Sequence, residues 1–176
     1  MTGTSDWQRV LLFMMIIFIS LMAHELGHAF AVRRFGGWPM IEFYAFGGAT
    51  YYQNQFDRKE RLIISAAGPA FSITLALLAW ITLHVLPPTQ PFFQAIAAIT
   101  LWINVVWTIF NLLPIQPMDG GQILRDLLGP RHYRLTCIIG MMAAIGVGII
   151  LFREKWYFAA ILLGFMAFQN YKAASQ

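Results

Sequence analysis

Five apolar runs dominate the chain, at residues 7–35, 61–86, 91–113, 135–152 and 156–171, each near the length a helix needs to cross a bilayer. In hydrocarbon no water is present to satisfy backbone N–H and C=O groups, so such runs become helices that pair their own amides. Composition points the same way. Of 176 residues, 59% are hydrophobic and 11% charged, against roughly 25% charged in soluble domains. The expected fold is an all-α polytopic membrane protein of about five transmembrane helices, forming one core over residues 1–176 and having the lipid bilayer as its first partner. The first run follows a segment holding one acid and one base, not a cationic leader, and Leu21 spoils a small-x-small cleavage site, so the run is expected to be retained.

Two shorter elements break this pattern. Residues 120–128 read as a short amphipathic helix that continues the third span after a break. Residues 41–52, with alternating apolar positions on either side of Gly47-Gly48, read as a β-hairpin at the membrane surface, against the alternative of an aromatic interfacial loop. In the fourth span Gly140, Ala144 and Gly148 recur every fourth position, a pattern of close helix packing. The net charge of +4 is spread between the spans and forms no basic patch, which argues against a nucleic-acid partner. It does bear on orientation. With the N-terminus outside and the C-terminus in the cytoplasm, Arg33, Arg34, Arg58, Lys59, Arg61, Arg125, Arg131, Arg134 and Lys172 fall inside, and only Arg9, Arg153 and Lys155 fall outside. Cys137 is the single cysteine, so no intramolecular disulfide can form.

The chemistry is concentrated at His24-Glu25-Leu26-Gly27-His28, inside the first span. Residues four apart on a helix share a face about 6 Å apart along the axis, so two imidazoles can reach one ion while the glutamate beside them holds a water. The bland alternative, two satisfied core histidines and a neutral acid, must place three ionisable groups in an apolar span, where an acid at mid-depth costs ~2.5–3.5 kcal/mol. Catalytic zinc takes three protein ligands and keeps one position open. Among the downstream acids Glu42, Asp57, Glu60, Asp119, Asp126 and Glu154, and the histidines His84 and His132, Asp119 stands apart. It follows Pro114 and Pro117, which must interrupt the third span, and it precedes Gly120-Gly121, which permit close backbone approach. Its alternative role is a helix N-cap. The expected ligands are therefore His24, His28 and Asp119 on one Zn²⁺ per chain.

Taken together, residues 24–28, Phe46-Gly47-Gly48, Ala67-Gly68-Pro69 and residues 111–121 resemble, in order, the site-2 protease family of intramembrane zinc metalloproteases (peptidase family M50). The resemblance implies zinc on His24, His28 and Asp119, Glu25 as general base, and Asn111 as a contact for the substrate backbone. It further implies transmembrane protein substrates, such as membrane-tethered transcription factors or anti-sigma factors, cleaved within or near their spans. Ser72 departs from the pattern, since many members carry Asn there. The sequence also shows neither the helix that often precedes the His-Glu span nor a regulatory domain, so a minimal catalytic core in a plasma or inner membrane is expected. A metal transporter using the same ligands is the main rival from another class. It would not need an acid between the histidines.

Glu25 lies nine residues before Arg34, which puts the motif ~13 Å below the cytoplasmic surface. Asp119 poses a difficulty at that depth. A straight helix over 91–111 already covers ~30 Å, so the third span must tilt, start outside the lipid, or turn back at Pro114–Pro117 if Asp119 is to reach the histidines.

Overall fold

A computed structural model of the chain describes residues 6–44, 47–85, 87 and 89–175. The elements in order are α1 (Asp6–Arg34), β1 (Met40–Tyr44), β2 (Gly47–Tyr51), α2 (Arg58–Val85), α3 (Pro91–Asn111), α4 (Asp119–Leu128), a 3-10 turn (Pro130–His132), α5 (Tyr133–Arg153) and α6 (Tyr157–Ala174). Every expected helix is present. Phe46, residue 45 beside it and the expected end of the second span at residue 86 lie outside the described residues.

Among the described residues, four helices are long and apolar enough to cross a membrane: α1, α2, α3 and α5 with its leading 3-10 turn. The fifth expected span forms as α6, but Gln169, Asn170 and Lys172 dilute its C-terminal third, and it falls short on composition. Large apolar side chains face outward throughout, with Ile161 72% and Trp102 67% exposed. In water such a surface would be untenable; in lipid it is the solvated face. The chain is a multi-pass membrane protein.

Residue contacts divide the chain into two compact units, one of residues 1–55 and 67–109, the other of 56–66 and 110–176. In the first unit, α1 buries a line of residues four apart: Ile16, Ser20, His24, His28 and Val32. Met14 and Met15, off that line, are 60% and 59% exposed. The hairpin is real. Antiparallel β1 and β2 pair from Met40 opposite Tyr51 to Tyr44 opposite Gly47, so the strand alternative holds over the interfacial loop.

In the second unit, α2 begins three residues before its expected start because Asp57 and Glu60 cap each other. The Glu60 amide donates to Asp57 Oδ1 at 2.7 Å and the Asp57 amide to Glu60 Oε2 at 2.8 Å, a reciprocal capping box. Arg58 then donates to the carbonyls of Asp126 and Leu127, and Arg61 Nε donates to Asp126 Oδ1 at 2.9 Å. Cations thus meet the exposed carbonyls at the end of α4, where the helix dipole favours them. The core of this unit gathers Ile115, Met118, Ala144, Leu163 and Ala167. Close packing follows from the small residues of α5: a Cβ on Gly148 would already touch Leu163 at 3.6 Å, and Ala144 is fully buried.

The third span does turn rather than run on. The helix α3 stops at Asn111, three residues before Pro114, and a series of tight turns leads to α4. The chain folds so closely on itself that a Cβ on Gly120 would stand 2.1 Å from the Leu112 carbonyl oxygen. Only glycine fits there, as expected of Gly120-Gly121.

Candidate metal centre

The first unit builds a two-histidine face from two helices in close contact. His24 and His28 lie one turn apart on α1, and Gly68 and Ser72 lie one turn apart on α2. Gly68 meets His28: a Cβ there would stand 2.1 Å from Nε2. Ser72 meets His24, with Oγ 3.1 Å from Nδ1, and is itself fully buried. Trp107 of α3 closes the other side of His24, ring edge to face at 6.3 Å. One turn earlier on α1, Ser20 Oγ accepts from Asn104 Nδ2 at 2.9 Å, so the polar groups on this face answer one another.

The two rings stand at 77° and bring their Nε2 atoms to 3.2 Å. Nitrogens bound tetrahedrally to zinc at 2.0–2.1 Å are ~3.3 Å apart. The spacing of the imidazole pair therefore already matches what one such ion demands. Ser72 thus holds Nδ1 of His24 and leaves Nε2 as the ring nitrogen that faces His28.

Glu25 points to a different side of α1 and is 4% exposed. Its carboxylate is met by β2: Thr50 Oγ1 donates to Oε2 at 2.8 Å. The donor set is thus two imidazole nitrogens with a carboxylate beside them, all buried, with His24 backed by Ser72 and Glu25 by Thr50.

Asp119 and Asn111 lie in the second unit. Asp119 is the first residue of α4 and 7% exposed. The N-cap position belongs to Met118, which makes no side-chain cap, so the capping role weighed against ligation does not fall to Asp119. Asn111 closes α3 and is half-buried. Five of the other candidate ligands have structural occupations. Asp57 and Glu60 cap α2, Asp126 is bound to Arg61, and the Nδ1 atoms of His84 and His132 each bond the carbonyl four residues earlier.

Sequence reasoning did not foresee Thr50, and it noted Ser72 only as a departure from a family pattern. Both carried a usable signal. Ser72 lies one turn beyond Gly68, and Thr50 shares a strand face with Gly48.

The sequence pattern of Peptidase family M50 matches residues 12–98 and 89–153, most of the chain. The chain belongs to peptidase family M50. Within that family it is 31% identical over 130 residues to protein sll0528 of Synechocystis sp., covering 73% of this chain and 34% of that protein. To zinc metalloprotease MJ0392 of Methanocaldococcus jannaschii it is 28% identical, covering 66% and 34%. To stage IV sporulation protein FB of Bacillus subtilis it is 34% identical, covering 63% and 38%. This M50 chain thus spans about a third of the length of these relatives. The solved structure of the site-2 protease from Methanocaldococcus jannaschii has the same fold, with a TM-score of 0.62 over 99% of this chain and 80% of that one at 23% identity.

Proposed function

We propose that this M50 chain is the catalytic core of an intramembrane zinc protease, hydrolysing peptide bonds within or near the transmembrane segments of other membrane proteins. The observation that carries the reading is the buried His24–His28 pair with Nε2 atoms 3.2 Å apart, set in a helix whose outward side chains are large and apolar. His24, His28 and Asp119 are each buried and each offer one ligand atom. As ligands of one ion per chain they would form a three-ligand set that leaves a fourth position for substrate or water. The name of the Methanocaldococcus relative supports zinc as that ion.

When bound, the metal supplies Lewis-acid polarisation of a peptide carbonyl and of a water. Glu25 then takes the water's proton as oxygen adds to the carbonyl carbon, and returns a proton to the departing amine as the C–N bond breaks. Asn111 hydrogen-bonds the substrate backbone, which must be locally unwound to expose its scissile bond. Substrates of this kind include membrane-tethered transcription factors and anti-sigma factors. The N-terminus lies outside and the C-terminus in the cytoplasm of a plasma or inner membrane, as nine cytoplasmic cations against three support.

Purified protein, assayed for zinc and for cleavage of a single-span peptide, tests the whole reading. Glu25→Gln should lose ~10²–10⁴-fold in kcat, the usual contribution of a general base, and keep its zinc. Asp119→Ala should lose the zinc itself. Undiminished cleavage by Glu25→Gln would sink the mechanism, and full zinc occupancy in Asp119→Ala would remove the third ligand.

A further inference from the structure

Two residues of β2 touch the carboxylate of Glu25. Thr50 Oγ1 lies 2.8 Å from Glu25 Oε2 and 3.2 Å from the Glu25 backbone oxygen. A hydroxyl has one proton, and the shorter contact directs it to the carboxylate. Two residues earlier, and so on the same strand face, Gly48 leaves space for hydrogen only. A Cβ there would stand 2.7 Å from Glu25 Cγ and 3.1 Å from Oε1. Both contacts come from a strand whose register is fixed, with Gly48 opposite Phe43 and Thr50 opposite Ile41.

We propose that Thr50 is a positioning residue for the Glu25 carboxylate, its hydroxyl holding Oε2 while the bare backbone at Gly48 walls the Oε1 side. The inference rests on Glu25 being the base. A glutamate has three side-chain torsions and many rotamers to lose, whereas threonine, branched at Cβ, has few. Donation from a stiff side chain on a paired strand therefore leaves Glu25 one orientation. Thr50 takes no proton from the reaction; it fixes where the proton acceptor stands. The cost of losing that constraint is set by geometry, since a misplacement of about 1 Å at a reacting group lowers turnover ~10²-fold.

The test uses the full chain with its metal content measured, and a single-span peptide as substrate. Thr50→Val keeps the shape and removes the hydroxyl. It should lower kcat by about 10–100-fold, with KM and zinc content unchanged. Thr50→Ser keeps the hydroxyl and should restore most of kcat. A hairpin merely damaged as a substrate platform would raise KM instead. A second readout needs no metal: in metal-free protein the amides of residues 47–51 should exchange hydrogen faster in Thr50→Val than in wild type or Thr50→Ser.

Wild-type kcat in Thr50→Val, alongside an inactive Glu25→Gln, overturns the positioning role and leaves the base assignment standing. Equal losses in Thr50→Ser and Thr50→Val also overturn it, because the hydroxyl is then not the cause. Should Thr50→Val fail to fold, Gly48→Ala decides, since it retains the hydroxyl and displaces the same carboxylate. Loss of kcat alone supports the role, and full kcat overturns it. Cleavage by Glu25→Gln would instead defeat the reading of Glu25 beneath it.

Discussion

The histidine pair and Asp119 are reached by opposite structural means. His24, Glu25 and His28 ride on 29 uninterrupted residues of α1, where regular helix geometry alone sets their spacing. Asp119 begins a helix of ten residues that follows a stretch of turns between Asn111 and Met118, where no periodicity applies. What holds the second region is packing. Asn170 of α6 donates through Nδ2 to the Gln116 carbonyl at 2.9 Å, and Gly140 of α5 leaves room for its side chain, since a Cβ there would lie 2.6 Å from Asn170 Oδ1. A regular helix specifies its functional atoms locally, whereas broken backbone borrows its shape from residues far along the chain.

Four perturbations sharpen or break that contrast. The largest effect is expected from Gly68→Ala, because its Cβ would fall 2.1 Å from His28 Nε2 and the ring or the α1–α2 contact must give. Zinc affinity should drop at least ~100-fold, the upper range seen when groups around a metal ligand are altered. Titration with a competing chelator would show it, and unchanged affinity would mean the contact is softer than the geometry states. Asn170→Leu comes next. It removes the brace on Gln116 and leaves a carbonyl without its donor, so unfolding should become easier by about 1–3 kcal/mol and zinc affinity should fall with it, although Asn170 is itself no ligand. If only stability moves, Asp119 is held by other contacts. Ser72→Ala removes the partner of His24 Nδ1 and should weaken zinc ~10-fold with the fold intact, while Ser72→Asn should recover part of it. Least is expected of Asp57→Ala. Losing half the capping box should cost about 1 kcal/mol in thermal unfolding and leave zinc affinity where it was. A change in zinc affinity there would show that the start of α2 reaches the metal ligands after all.

The same contrast explains what was legible in the sequence. Apolar length located five helices within a few residues, an amphipathic stretch after the prolines located the sixth, and a five-residue motif gave the spacing of His24, Glu25 and His28, because all of these depend on near neighbours. The capping box of Asp57 and Glu60 was legible too, in principle, from the spacing Asp-x-x-Glu; charge before an apolar run disguised it as loop. Thr50 and Ser72 were harder. Each is defined by which face of another element it meets, and that is decided by how close Gly48 and Gly68 let the backbones come. For Asp119 the prolines announced a break and the glycines a tight approach, but the path between them depends on Asn170, 51 residues further on.

The buried line on α1 has one more consequence. Its members recur every four residues, and a helix completes a turn in 3.6, so each step overshoots by about 40°. From Ile16 to Val32 the line therefore winds through roughly 160°, and different neighbours hold it at different heights: Asn104 of α3 at Ser20, Gly68 of α2 near His28. A rod gripped along a spiral cannot roll about its own axis. The azimuth of the two imidazoles is thereby locked by the path of the grip, even though lipid wets most of the rod's remaining surface.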